Sequence, residues 1–333
     1  MDPGNESQQI EAQDSSDAQS DNDSGFGEGT PSTASLTSSI FDYEEEHGRS
    51  YHAFRRGKYV MPNDEREQER MDIHYHSIRM CMHDKLFLSP AQKPTAILDV
   101  GTGTGIWAMD VADDHPSTQV IGIDLSPMLP TAVPPNLEFQ IMDADEPWEF
   151  SMKFDLIHTR LMNGFSIRSW PNFYQQAFAS MKPGGWVENQ EFDLDITSDD
   201  GTMSPEGAVR RWQDLWEEGL KRMSADLSGR CYPNRMKEQM EDAGFVNVHV
   251  RGFKMPIGIW PKDTRLRQAG LFCMVGIVDG VSGLSQRVFT KGLGWTIEEM
   301  EVLLMEVRNE FNSKRIHSYI PIYVVYGQKP SED

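Results

Sequence analysis

Three things are scarce in this chain. Its 333 residues include only three cysteines, Cys81, Cys231 and Cys273, and none falls in a C-x-x-C pair. That spacing suggests neither a zinc site nor a disulfide framework. Basic charge is scarce too: 31 Lys and Arg stand against 52 Asp and Glu, a formal charge of −21. Phosphate backbones are held by clustered cations, so this balance speaks against a general nucleic-acid surface. The one early basic cluster, Arg55-Arg56-Gly57-Lys58, is too short to read as a nuclear signal. Long apolar runs are the third absence. The longest, around 270–278, is too short to span a bilayer. The polar, acidic N-terminus does not read as a signal peptide. The expectation is a soluble protein of the cytoplasm or nucleus, with no membrane or direct nucleic-acid partner.

The segment from Met1 to Glu46 lacks Lys and Arg altogether and carries twelve acidic residues among Ser, Gly, Gln and Thr. Such a stretch buries too little apolar surface to offset its ordering entropy, so residues 1–47 are expected to form a disordered acidic tail. The tail either solubilises the chain or docks a partner. Residues 48–90 then read as a helical arm. Asn63 or Asp64 is a plausible N-cap for a helix over 65–87, on which Met71, His74, Ile78, Cys81 and Met82 form one apolar stripe. His74, His76 and His83 invite a metal reading. His74 and His76 point to different helix faces, however, and no carboxylate-and-cysteine set accompanies them, so no metal is expected.

What the chain does have is TAILDVGTGTG, Thr95 to Gly105. Ala96-Ile97-Leu98 is a buried-strand run closed by Asp99-Val100. Gly101, Gly103 and Gly105 then alternate with Thr102 and Thr104, and Ile106 opens a helical pattern to about Asp113. Strand, glycine turn and helix make the first half of a nucleotide-binding βαβ unit, where side chains would hold a ligand away from the backbone. A dinucleotide fold wants its third glycine at position 106, which is Ile106, so an oxidoreductase is disfavoured.

Further strands follow in order. Gln119–Ile123 ends in Asp124, twenty-three positions beyond Gly101, where such a unit places a ribose-binding carboxylate. Leu137–Ile141 runs into Asp143-Ala144. Phe154–His158 ends at the ligand-facing edge with Thr159-Arg160, and 187–191 makes a fifth strand after Lys182-Pro183-Gly184-Gly185. Helical insertions are expected near 197–232, with Trp212 and Trp216, and near 262–312, with an apolar helix over 266–281. Ile322–Gly327 is expected to pair with Phe245–Val250 as a terminal antiparallel hairpin.

Asp-x-Gly-x-Gly-x-Gly, Asp124, Asp143-Ala144 and Lys182–Gly185 together resemble a class I S-adenosylmethionine (SAM)-dependent methyltransferase. Tyr51, Gly57-Lys58-Tyr59, Pro62–Glu65, Arg70, His74 and Asp155–Arg160 narrow the resemblance to the fungal LaeA-like methyltransferases. The resemblance implies an α/β, doubly wound, Rossmann-like seven-stranded sheet over 91–330, with SAM as cofactor. It implies cofactor contacts from Asp99, Gly101, Thr102, Gly103, Gly105, Asp124, Leu125, Asp143 and Ala144, with Tyr51 from the arm. It implies a methyl acceptor that is a small molecule, or a regulatory role beside a velvet-type protein partner. His158 is the expected polar contact or base, with Glu188 and Glu191 behind it.

Overall fold

The computed structural model describes residues 43–52, 60–126, 128, 130, 132–163, 166–224 and 231–331. Residues 1–42, the Arg55–Lys58 cluster and Gly57-Lys58-Tyr59 lie outside the described residues. A seven-stranded sheet organises the rest, in the order β5-β4-β3-β6-β7-β9-β8. Its strands are β3 (Ala96–Val100), β4 (Gln119–Asp124), β5 (Leu137–Ile141), β6 (Phe154–Arg160), β7 (Met181–Phe192), β8 (Val246–Pro256) and β9 (Tyr319–Gln328). The first five are parallel; β9 runs antiparallel to β7 and β8 antiparallel to β9. This is the doubly wound sheet with the terminal hairpin that the sequence leads one to expect.

Strand β3 is buried along its whole length, as a central parallel strand covered on both faces must be. Ala96, Leu98 and Val100 share one core with Phe173, Tyr174 and Ala177 of α3 (Trp170–Ser180) and with Met236 and Met240 of α5 (Pro233–Asp242). Ile97 belongs to the opposite core. There it joins Trp107, Ala108 and Val111 of α2 (Ile106–Asp114) and residues of α1 (Glu65–Cys81), α4 (Ala208–Met223), α6 (Thr264–Arg287) and α7 (Ile297–Phe311).

Four boundaries differ from expectation. Helix α1 stops at Cys81 rather than Phe87, because His83 and Asp84 take φ of 58° and 59°, which no α-helix continues through. Among the described residues of 197–232, α4 is the only helix; Thr197 instead bridges to Tyr319. Helix α6 runs on from Val281 to Arg287 and into a π-helical turn, Val288–Leu293. Over Thr264–Leu293 these thirty residues are long and apolar enough to cross a membrane, a length hidden by looking only at 270–278. Half of its most apolar 18-residue stretch is buried, and Ala269, Cys273, Ile277 and Val281 lie in the core.

The fourth boundary is that of the acidic tail. Tyr43–Glu46 forms strand β1, paired antiparallel with β2 (Arg49–His52). Arg287 at the end of α6 explains why these acidic residues are ordered: its guanidinium pairs with Glu44 and Glu46 at 3.0 Å each. Lys291 reaches Glu46 at 2.8 Å.

Candidate cofactor and acceptor cavity

The carboxyl ends of the parallel strands open onto one cavity, roofed by α1, α4 and α6. It encloses about 1730 Å3, its open mouth included.

The glycine loop forms part of its floor. Gly101, Gly103 and Gly105 take φ of 73°, 58° and 80°, a region that L-residues with side chains rarely occupy. A β-carbon at 103 would stand 2.6 Å from Met71 Cε, the flexible end of an α1 side chain, so it is the positive φ more than the contact that calls for glycine there. The loop is pinned through its amides. Gly101 N and Thr102 N donate to Ile123 O at 2.8 and 3.0 Å, and Gly103 N donates to Asp124 Oδ2 at 2.8 Å. Thr104 Oγ1 donates to Asp72 Oδ1 of α1 at 2.6 Å, which ties the loop to the arm.

Of the expected cofactor contacts, Gly101, Thr102, Gly103, Asp124, Leu125, Asp143 and Ala144 line the cavity together. Asp124 also accepts from Ser126 N at 2.8 Å through Oδ1. With four lone pairs and three neighbouring amides, of Ser126, Gly103 and Leu125, the carboxylate retains accepting capacity for a ligand hydroxyl. Burial pushes its carboxyl upward, against the amides of Ser126 and Gly103 that lower it.

Three expected contacts lie elsewhere. Asp99 sits beneath the loop, accepting from Thr102 Oγ1 at 2.7 Å. Gly105 precedes α2 and faces the Phe139 ring. Tyr51 is fully buried under Arg287, whose guanidinium carbon lies 3.6 Å from the ring centroid. None of the three is among the cavity-lining residues.

His158, the expected polar contact or base, does not line the cavity either. Parallel register sets it opposite Asp99, and its Nδ1 lies 2.8 Å from Asp99 Oδ1. The Trp107 ring closes over it at 3.6 Å, within 5° of parallel, and it is fully buried away from the cavity. Glu188 is spent likewise, accepting the amides of Leu88 and Ser89.

Glu191 does line the cavity. The amides of Met162 and Asn163 donate to its two oxygens at 3.2 and 3.1 Å. Burial nevertheless pushes its carboxyl up to about 8, outweighing those two amides and the nearby Arg160. Phe192 and Leu194 complete the wall, and Trp212, Trp216, Ile277 and Leu284 the helical roof. The indole N–H groups of Trp212 and Trp216 are consumed by Ser285 Oγ (2.8 Å) and Leu284 O (2.9 Å), which leaves the rest of each indole as apolar wall. Arg160, to which the sequence alone assigns no role, also lines the cavity. Its position at a strand's carboxyl end was the signal.

This arrangement fits SAM. Carboxylates at the ends of β4 and β5 suit ribose hydroxyls and an adenine amine, and the loop without side chains suits the groove between them and β6. Comparison with known proteins agrees. A family model described as "Methyltransferase domain" matches residues 72–250. "Methyltransferase pytC" of Aspergillus terreus is 40% identical over 303 residues, covering 90% of this chain and 92% of the relative. "Secondary metabolism regulator LAE1" of Cochliobolus heterostrophus is 33% identical, covering 86% and 95%. "Protein-methionine methyltransferase laeA" of Emericella nidulans is 32% identical, covering 91% and 81%. With its glycine loop and strand-end carboxylates gathered in one cavity, the chain belongs to the class I SAM-dependent methyltransferases, among the LaeA-like members.

Proposed function

We propose that this chain methylates a small, largely apolar acceptor in fungal secondary metabolism. The observation that carries this reading is the continuity of the cavity from the glycine loop to the wall of Phe192, Trp212 and Trp216, with Glu191 at the junction. SAM, when bound, supplies a methyl group on a sulfonium, and displacement of that sulfur needs the acceptor aligned and water excluded. Asp124 would hold the ribose, and Asp143 with Ala144 the adenine. The apolar roof orients the acceptor and keeps water out. Glu191 takes the acceptor's proton at a carboxylate oxygen, and its upward shift to about 8 makes it a competent base only as pH approaches that value.

The test is incubation of the protein with deuteromethyl-labelled SAM and fungal metabolite extract, followed by mass spectrometry. The reading expects a low-molecular-mass product carrying the label; label found only on protein would contradict it.

A second reading is favoured by the names of two relatives, one a regulator and one a protein-methionine methyltransferase. On it, this chain works through a velvet-type partner, in the nucleus or cytoplasm, with residues 1–42 and the arm as docking elements. A thioether sulfur loses no proton on methylation, so Glu191→Gln would leave transfer to methionine intact. Transfer to a hydroxyl would collapse in the same variant.

A further inference from the structure

Arg160, the last residue of β6, lines the cavity. The face of its guanidinium rests on the Tyr75 ring, 4.7 Å from the centroid. Tyr75 is itself held in place by its hydroxyl bond to Asp110. Among the described residues Arg160 donates no side-chain hydrogen bond and forms no ion pair, whereas Arg49, Arg70 and Arg79 each pair with a carboxylate. Burial holds the guanidinium below its ordinary value, even with Asp99 and Tyr75 acting in the other direction. A guanidinium is a planar fork of five N–H donors that matches a carboxylate in two parallel bonds. Half-buried at the cavity wall, and with no hydrogen-bond partner among the described residues, these donors are left for an anion from a ligand.

Strand order says which anion. If Asp143 at the end of β5 takes the adenine and Asp124 at the end of β4 takes the ribose, the ligand crosses the sheet edge toward β3 and then β6. The register pairs Thr159 with Val100, so Arg160 stands level with Gly101, directly beyond the glycine loop on that path. Resting on the SAM-binding reading above, we infer that Arg160 is the receptor for the cofactor's methionyl carboxylate. It thereby fixes how far along the edge the sulfonium sits. A carboxylate on the acceptor is the other source of the same chemistry.

Calorimetry with three ligands separates the sources. S-adenosylhomocysteine carries the carboxylate, S-adenosyl-3-thiopropylamine lacks only that group, and 5′-methylthioadenosine lacks the whole amino-acid end. Wild type is expected to prefer S-adenosylhomocysteine to the thiopropylamine by about 10- to 100-fold, the scale of a charge-assisted pair. Arg160→Met should reduce that preference to about 3-fold or less while leaving methylthioadenosine binding nearly unchanged, and Arg160→Lys should fall between. The methylthioadenosine arm reports an intact nucleoside site. Should Arg160→Met lose it by misfolding, the lysine variant carries the comparison.

An unchanged preference in both variants overturns the assignment and leaves the cation to an acidic acceptor. Failure of wild type to bind any of the three overturns the cofactor reading itself, a distinguishable result.

Discussion

The floor of the cavity is sheet and the roof is helix, and the two are held by different forces. On the floor, backbone amides of the glycine loop bond to Ile123 and Asp124, neighbours on the next strand. The roof is joined by contacts between distant segments. Trp212 bonds to Ser285, Ser77 Oγ donates to Ala269 O at 2.8 Å, and Gln286 Nε2 donates to Glu46 O at 2.8 Å. Glycines in α6 make room for the arm, since a β-carbon at 276 would meet His74 and one at 280 would meet Arg70. Local geometry therefore specifies the cofactor's bed, while tertiary packing specifies the acceptor's. Floor substitutions should strike cofactor affinity, and roof substitutions should strike acceptor handling and stability.

The largest expected effect lies where the two meet. Glu191→Gln should slow methylation of a hydroxyl acceptor by ~10²–10⁴-fold, with S-adenosylhomocysteine affinity within about 3-fold of wild type. The rise of rate toward pH 8 should vanish with it in a pH–rate profile. The same group affects stability. Its folded value of about 8 lies above its ordinary 4.5, so its contribution is full below pH 4.5 and is lost as pH rises through 8. Ligand-free wild type should lose melting temperature across that window more steeply than Glu191→Gln. Parallel curves would show that the carboxyl is already ionised in the folded state.

Next in size is Asp124→Ala, a floor substitution. Loss of the ribose bonds and of the anchor for the Gly103 amide should weaken S-adenosylhomocysteine by ~2–4 kcal/mol, or ~30- to 800-fold. An analogue lacking the ribose hydroxyls should suffer far less. Equal losses for the two ligands would mean that the carboxylate serves only the loop.

A smaller effect should mark the edge of the roof. Arg287→Met removes the partner of Glu44 and Glu46 and the cation over Tyr51, with an expected cost of ~1–3 kcal/mol in denaturant unfolding and little change in cofactor affinity. Deletion of residues 1–42 should shift the melting temperature by no more than ~2 °C. Extending the deletion through Glu46 should reproduce the Arg287→Met loss. Equal stability of the two deletions would show that the β1–β2 pairing contributes nothing.

The same division explains what could be read from sequence. The parallel strands were legible because their apolar runs are short and bounded, and the loop because three glycines at that spacing have few other uses. His158 was misread because a strand's pattern does not reveal its neighbours. Only the register opposite Asp99 and the closure of Trp107 show that its ring faces a filled core. Glu191, three residues beyond Glu188, looks equivalent to it in sequence. The two differ because the Leu88 and Ser89 amides saturate Glu188, whereas Glu191 reaches the cavity. Tyr51 was placed by resemblance alone, and its burial depends on Arg287, 236 positions away along the chain. The tail boundary failed for the same reason. Tyr43–Glu46 is acidic enough to be read as unstructured, and it is ordered by cations more than 240 positions downstream.

The central claim, that the glycine-loop floor is the cofactor's bed, is tested most directly at Gly103. Gly103→Val puts a branched side chain where φ is 58° and where a β-carbon already meets Met71. In a calorimetric titration with S-adenosylhomocysteine, wild type should bind and the variant should show no measurable heat, with its circular dichroism spectrum preserved. Undiminished binding by a folded Gly103→Val protein would contradict the account.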